Sequence, residues 1–165
     1  MSLPAYMSAL QQEFPQAAPS EFRGQIRLRI LPEELHALLT ALKQRYDFDM
    51  LVDVTCVDYL NYRGAVDRFG LVYVLLGTET GEQLIVRTYL NEPELTVPSA
   101  VPLWQSAEWL EREVWDMFGI RFAGHPDLRR ILLPEEFVAH PLRKDYPLQG
   151  RGERHNFPVL TRESA

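Results

Sequence analysis

The side chains with chemical capacity gather in the last third of the 165-residue chain. Glu111, Arg112, Glu113 and Asp116 stand almost side by side, and paired carboxylates perform acid–base work when burial separates their pKa values. His125, Asp127, His140 and His155 follow as further titratable groups. Their spacing suits neither a metal nor a catalyst. There is no Cys-x-x-Cys or His-Glu-x-x-His, and each of these histidines stands fifteen residues from the next. His125 and His140 both precede proline, which fits them to fix extended backbone or to hydrogen-bond across an interface. Arg112 lies between the acids and can neutralise either neighbour, so a salt-bridge lattice is the expected use of the cluster. No Gly-rich phosphate loop and no Gly-x-Ser-x-Gly elbow occurs. A stand-alone acid–base or metal enzyme built on Glu113, Asp116 and His125 is the alternative from another class.

These residues need elements to hold them. A helix from Ser106 to Phe118 would carry the acids, with Ser106 as its cap and Gly119 placed to end it in a left-handed conformation. Ala107, Leu110, Val114, Met117 and Phe118 make its packing side, and Glu108, Arg112 and Asp116 form a charged ladder on another. Trp115 falls on the charged side, as a partner anchor or a lid over the following loop. Upstream, Tyr6, Leu10 and Phe14 predict a helix over 4–14, and 16–21 reads as a linker. Ile26, Leu28 and Ile30 alternate with arginines in a strand over 22–30, and a helix runs from Pro32 to near Arg45. Strands over 49–59, 68–77 and 83–91 are separated by turn formers.

A strand–helix–strand unit ordinarily joins parallel strands. The expected fold is therefore α+β and two-layered: a mixed four-stranded sheet, its first two strands parallel through a helical crossover and the rest an antiparallel meander, with helices on one face. Residues 1–120 are assigned to this domain and 121–165 to an extended partner-binding arm. Prolines at 126, 134, 141, 147 and 158 forbid a long helix there, beyond a turn at Pro134 to Phe137. Ile131, Leu132, Leu133, Phe137 and Val138 are nevertheless too apolar to dangle in water, so a neighbouring surface is expected to shape the arm.

Composition narrows the classes. With 46% hydrophobic residues and a net charge of −6, the chain reads as an ordinary soluble domain rather than a disordered or nucleic-acid-binding one. The apolar run from Leu71 to Leu76 is too short to span a bilayer. The single cysteine, Cys56, lies in an apolar segment and reads as a small core residue in a reducing compartment. Charge is uneven: residues 1–120 hold nine basic and seventeen acidic groups, residues 121–165 eight and six, including the doublets Arg129–Arg130 and Arg143–Lys144.

The run Glu111-Arg112-Glu113-Val114-Trp115-Asp116-Met117-Phe118-Gly119-Ile120, followed by His125-Pro126-Asp127-Leu128-Arg129-Arg130-Ile131-Leu132, resembles the signature of the 30-kDa subunit of respiratory complex I, known in bacteria as the C subunit. Val52 to Tyr59 is similar to that family's central strand, and His140 to Pro147 to its C-terminal motif. The resemblance implies a non-catalytic subunit of the proton-pumping NADH:quinone oxidoreductase, without activity on its own, that supports electron transfer from NADH to quinone coupled to proton translocation. It implies a peripheral place on the cytoplasmic side of the bacterial inner membrane, with membrane association only through the complex. The implied partners are the 49-kDa-type subunit (the bacterial D subunit) and the neighbouring terminal-cluster subunit, close to where quinone is reduced, and no nucleic acid. Flavin and iron–sulfur clusters are expected in those partners and no cofactor in this chain, which has one cysteine where a cluster usually takes four. No catalytic, cofactor-binding or metal residue is implied. Arg112, Glu113, Trp115, Asp116, His125, Arg129, Arg130, His140, Arg143, Lys144 and Asp145 are expected to brace the arm or bind the partner. Related subunits of energy-converting hydrogenases and other quinone-reducing complexes remain an alternative.

Overall fold

The computed structural model describes residues 4–156. In chain order the elements are α1 (Ala5–Glu13), β1 (Ala18–Phe22), β2 (Gln25–Arg29), α2 (Leu35–Arg45), β3 (Met50–Asp58), β4 (Phe69–Leu76), β5 (Gln83–Leu90), β6 (Thr96–Pro98), α3 (Ala107–Phe118) and β7 (Arg121–Ala123), followed by a 3-10 turn at Glu153–Asn156. The class is the expected α+β arrangement, but the main sheet has five strands in the order β1-β2-β5-β4-β3. The extra strand is β1, in the segment that reads as a linker. It pairs antiparallel with β2 across Arg23 and Gly24, whose φ angles of 51° and 80° suit a tight two-residue hairpin turn. Its side chains are almost all exposed, so it leaves no apolar alternation to detect.

β2 and β3 run in the same direction, as the helical crossover predicts, but they are not neighbours. β2 pairs parallel with β5, and the β3–β4–β5 meander lies beyond it. The physical reason lies in the faces and edges of the strands. β4 is apolar and largely buried on both faces and so belongs inside the sheet. On β3, the Trp104 indole N–H donates to the Asp49 carbonyl and the Ser106 hydroxyl to that of Leu51, which occupies the edge where another strand would pair. That contact also replaces the expected cap: Ser106 makes no hydrogen bond to its own helix.

The core is one cluster. Met7 and Leu10 of α1, Leu35, Leu38, Leu39 and Leu42 of α2, and Ala107, Val114, Met117 and Phe118 of α3 meet the face carrying Leu28, Val54, Leu71, Tyr73, Leu75, Leu84 and Val86. All three helices thus cover one side of the sheet, as expected. Cys56 is buried in this layer, and burial pushes its thiol up to about 12, the signature of an inert core cysteine. Gly119 ends α3 in a left-handed conformation at φ 80°. Immediately afterwards β7 pairs parallel with β6, a short strand in a stretch where no strand is expected. Among the described residues no helix is long and apolar enough to cross a membrane.

Candidate functional site

Asp116 lies half a turn before the end of α3, and its side chain is completely buried. Oδ2 accepts three successive backbone N–H groups, those of Ile131, Leu132 and Leu133, at 3.1, 2.8 and 3.0 Å. Oδ1 accepts the Arg130 guanidinium at 2.5 Å. Burial pushes this carboxyl up, but the converging N–H groups and Arg130 outweigh it and hold it below its ordinary value. A single carboxylate thus fixes the backbone of three residues, and the side chain of a fourth, in the stretch that follows β7.

Arg112, one turn earlier, is also buried and points at the same stretch: Nε donates to the Arg129 carbonyl at 3.1 Å and Nη2 to that of Arg130 at 2.9 Å. Among the described residues it makes no ion pair. Neither the expected salt-bridge lattice of Glu111, Arg112, Glu113 and Asp116 nor the ladder Glu108–Arg112–Asp116 therefore forms, because the arm's carbonyls and N–H groups take the charges of Arg112 and Asp116. Arg130 returns the clamp, donating to the Asp116 and Ala139 carbonyls while its guanidinium lies over the Trp115 ring. Trp115 stands edge-on to His140, with ring centroids 6.5 Å apart.

His140 donates its Nδ1–H to the Asp116 carbonyl at 3.0 Å, since a carbonyl only accepts. Burial holds its imidazole below the ordinary value, and nearby Arg143 and Arg130 push the same way. The ring occupies the space above Gly119, where a Cβ would come within 2.7 Å of it. Gly119 therefore serves twice, for the turn and for the close approach.

A second anchor ties the arm to the end of the sheet. Asp58, inward-facing at the end of β3, accepts from the N–H of Lys144 and of Leu60, both at 2.8 Å, and from Arg68. Arg68 also pairs with Glu92 at 3.0 Å and with Asp145 at 2.9 Å. Arg143 bridges from Glu92 at 2.8 Å to the Phe118 carbonyl at 2.6 Å. Burial raises Asp58, but Arg68 and the backbone donors bring its carboxyl below the ordinary value.

The structure thus brings Arg112, Asp116, Arg130, His140 and Arg143 together around the end of α3, with the Lys144 backbone and Asp145 at the sheet end. The remaining candidates are placed differently. His125 donates Nε2–H to the Glu108 carbonyl and accepts the Asp127 N–H, which stiffens the entry to the arm. Arg129 pairs with Asp127 at the surface. Glu113 is exposed and makes no hydrogen bond or ion pair among the described residues, so Glu113 and Asp116 do not form a carboxylate dyad. Asp58, Arg68 and Glu92 are additions that the sequence pattern does not single out. An acid on the core-facing period of β3 is the signal for Asp58; Arg68 and Glu92 carry no local signal. Glu111 is a further buried acid, accepting from Ser99 Oγ and the Ala100 N–H, both at 2.6 Å, and burial pushes its carboxyl up to about 7. Its place in the apolar period Ala107–Glu111–Val114–Phe118 makes it legible.

Held this way, the arm turns Leu132, Val138, Leu142 and Leu148 outward. Leu133, Phe137, Pro141, Tyr146 and Leu148 line a cleft of about 390 Å³ beside them.

Residues 28–152 match the family described as respiratory-chain NADH dehydrogenase, 30 Kd subunit. The NADH-quinone oxidoreductase C subunit of Trichlorobacter lovleyi is 49% identical over 130 residues, which cover 79% of each chain. The protein of the same name from Citrifermentans bemidjiense is 44% identical over 131 residues, 79% of this chain and 80% of that one. Among solved structures, the trypsin-resistant fragment (1-134) of Nqo5 superposes with a TM-score of 0.66 at 32% identity, over 74% of this chain and 98% of that one. A chain of the membrane-bound sulfane sulfur reductase, an archaeal respiratory membrane complex, shares the fold with a TM-score of 0.75 at 24% identity, over 95% of this chain and 92% of that one.

Proposed function

Because the chain belongs to the family of the 30-kDa subunit of respiratory-chain NADH dehydrogenase, we propose that it is a cofactor-free assembly subunit of the hydrophilic arm of NADH:quinone oxidoreductase. In this reading it docks on the 49-kDa-type subunit, beside the one holding the terminal iron–sulfur cluster, on the cytoplasmic side of the bacterial inner membrane. Electrons pass from NADH to quinone, with coupled proton translocation, through groups carried by the partners. This chain contributes shape.

The observation that carries the reading is the arm's presentation. Arg112 and Asp116 of α3 spend their polar atoms on the arm's backbone, and Arg130 and His140 of the arm reach back to Asp116, which leaves Leu132, Val138, Leu142 and Leu148 facing outward on a braced track. Permanent interfaces commonly exceed about 2,000 Å² and are apolar at their centre, and a track fixed in advance lowers the ordering cost of forming one. Affinity purification of the tagged chain from its native membranes tests the proposal. The expected result is co-purification of flavin- and cluster-bearing subunits, together with a lone chain that shows neither turnover nor stoichiometric metal. Recovery of the chain by itself from membranes that retain the complex overturns it.

A further inference from the structure

The sheet has a second surface that the arm and the helices leave untouched. On the side away from the core, one row runs Thr55, Val72, Arg87, Arg29 across β3, β4, β5 and β2. It divides the face in two. The β3–β4 half presents Val52 and Val57, each about 40% exposed, flanking the buried Val72, with Asp53 next to Val52. The β5–β2 half is basic, with Arg27, Arg29 and Arg87.

This basic half belongs to a chain whose net charge is −6, and the chain does little to neutralise it. Arg27 and Arg87 make no ion pair among the described residues, and the Nε of each is buried without a hydrogen-bond partner. Arg29 has only a loose contact with Asp67, at 3.8 Å. Aromatic rings hold the guanidinium groups in place: Arg27 lies 4.6 Å from the Phe22 centroid and Arg29 5.1 Å from that of Tyr89. Donors fixed in advance and left without anions are suited to carboxylates brought by another molecule. At about 4.8 Å per strand, the four strands carry the row across roughly 14 Å. One α-helix with its side chains is about 10–12 Å wide.

We propose that this face docks an amphipathic helix of a neighbouring subunit, its apolar stripe on Val52, Val57 and Val72 and its acidic edge on Arg27, Arg29 and Arg87. The inference rests on the reading of the chain as an assembly subunit and adds a contact separate from the arm. Two variants test it in the assembled enzyme. A Thr55→Cys chain places a thiol at the β3 end of the row, between Val52 and Val57, while the buried native Cys56 stays inert. Maleimide labelling of the variant is expected to slow at least about tenfold on assembly relative to the free chain, as at a water-excluding interface; equal rates overturn the proposal. An Arg29→Lys chain treated with a zero-length carbodiimide is expected to couple to an aspartate or glutamate on a helix of a different subunit. Coupling only to Asp67, or to a second copy of this chain, overturns it. Failure to recover any assembled enzyme sinks the subunit reading itself. An assembled enzyme with the Thr55→Cys thiol still fully reactive sinks this inference alone.

Discussion

Between β2 and the end of α2 the chain buries Leu28, Ile30, Leu35, Leu38, Leu39 and Leu42 against one another, whereas from Gly124 to Asn156 the buried hydrophobic residue is Phe137; yet both segments follow a defined path. In the first, cohesion is spread over area, at about 25 cal/mol per Å² of apolar surface removed from water. In the second it is concentrated at points: one carboxylate collecting three N–H groups, two arginines capping carbonyls, one imidazole under a tryptophan. Point anchoring lets a segment keep its shape without turning its leucines inward. It also makes that segment dependent on single atoms and on protonation in a way the core is not.

The most damaging way to break this contrast is to remove its central carboxylate. Asp116→Ala strips Arg130 of its counter-ion and leaves three N–H groups unpaired, a loss expected to cost about 3–5 kcal/mol. Amide exchange of Ile131, Leu132 and Leu133 should rise sharply while that of β4 and β5 stays slow. If arm and sheet amides accelerate together, the arm is not a separate unit. Leu39→Ala is the mirror experiment, removing area at a residue with no accessible surface. It should cost about 2–5 kcal/mol and lower the unfolding temperature of the whole molecule, with no selective loosening of residues 125–146.

Protonation separates the two regions by sign. Asp116 and Asp58 lie below their ordinary values, so the stability they give the arm is present above the unfolded carboxylate range near pH 4 and is lost as the pH falls through their folded values. Glu111 lies above its ordinary value, at about 7, so the native state holds a proton that the unfolded chain has released. Stability should therefore decline as the pH rises from about 4.3 to about 7, by roughly 2–3 kcal/mol. Glu111→Gln is expected to flatten that limb and leave the acid limb unchanged. A denaturation series across pH 3 to 8 checks both, and an unchanged upper limb in the variant would place the responsible group elsewhere.

The same contrast explains what can be read in advance. α3 and its end are legible because the apolar stripe and Gly119 are local signals. β1 is not, because its side chains stay exposed and only backbone pairing defines it. The neighbour of β2 is not, because the choice depends on a β3 edge occupied from Trp104 and Ser106, more than fifty residues away. At the site, the residue types Arg112, Asp116, Arg130 and His140 are recognisable in the sequence, but Arg112 and Asp116 are expected to pair with charged side chains of their own helix. Both instead reach backbone groups of the arm, Arg112 two carbonyls and Asp116 three N–H groups, and every residue has those alike.

The smallest expected effect tests the finest part of the comparison, at Gly119. A methyl group there meets two separate penalties. The backbone at φ 80° disfavours any side chain, at about 1–2 kcal/mol, and the new Cβ would sit 2.7 Å from the His140 ring and 3.2 Å from Arg143 Nη2. The first penalty falls on α3; the second falls on the arm alone. Gly119→Asn separates them from Gly119→Ala, because asparagine tolerates the left-handed conformation yet still carries a Cβ. If the close approach matters, both variants should displace His140 from the Asp116 carbonyl, read as a rise of its imidazole pKa toward the ordinary value in a proton NMR titration. A His140 titration unchanged in both variants would show that the glycine serves the helix end only, and that the arm bears on α3 through its charged anchors without needing the imidazole seat.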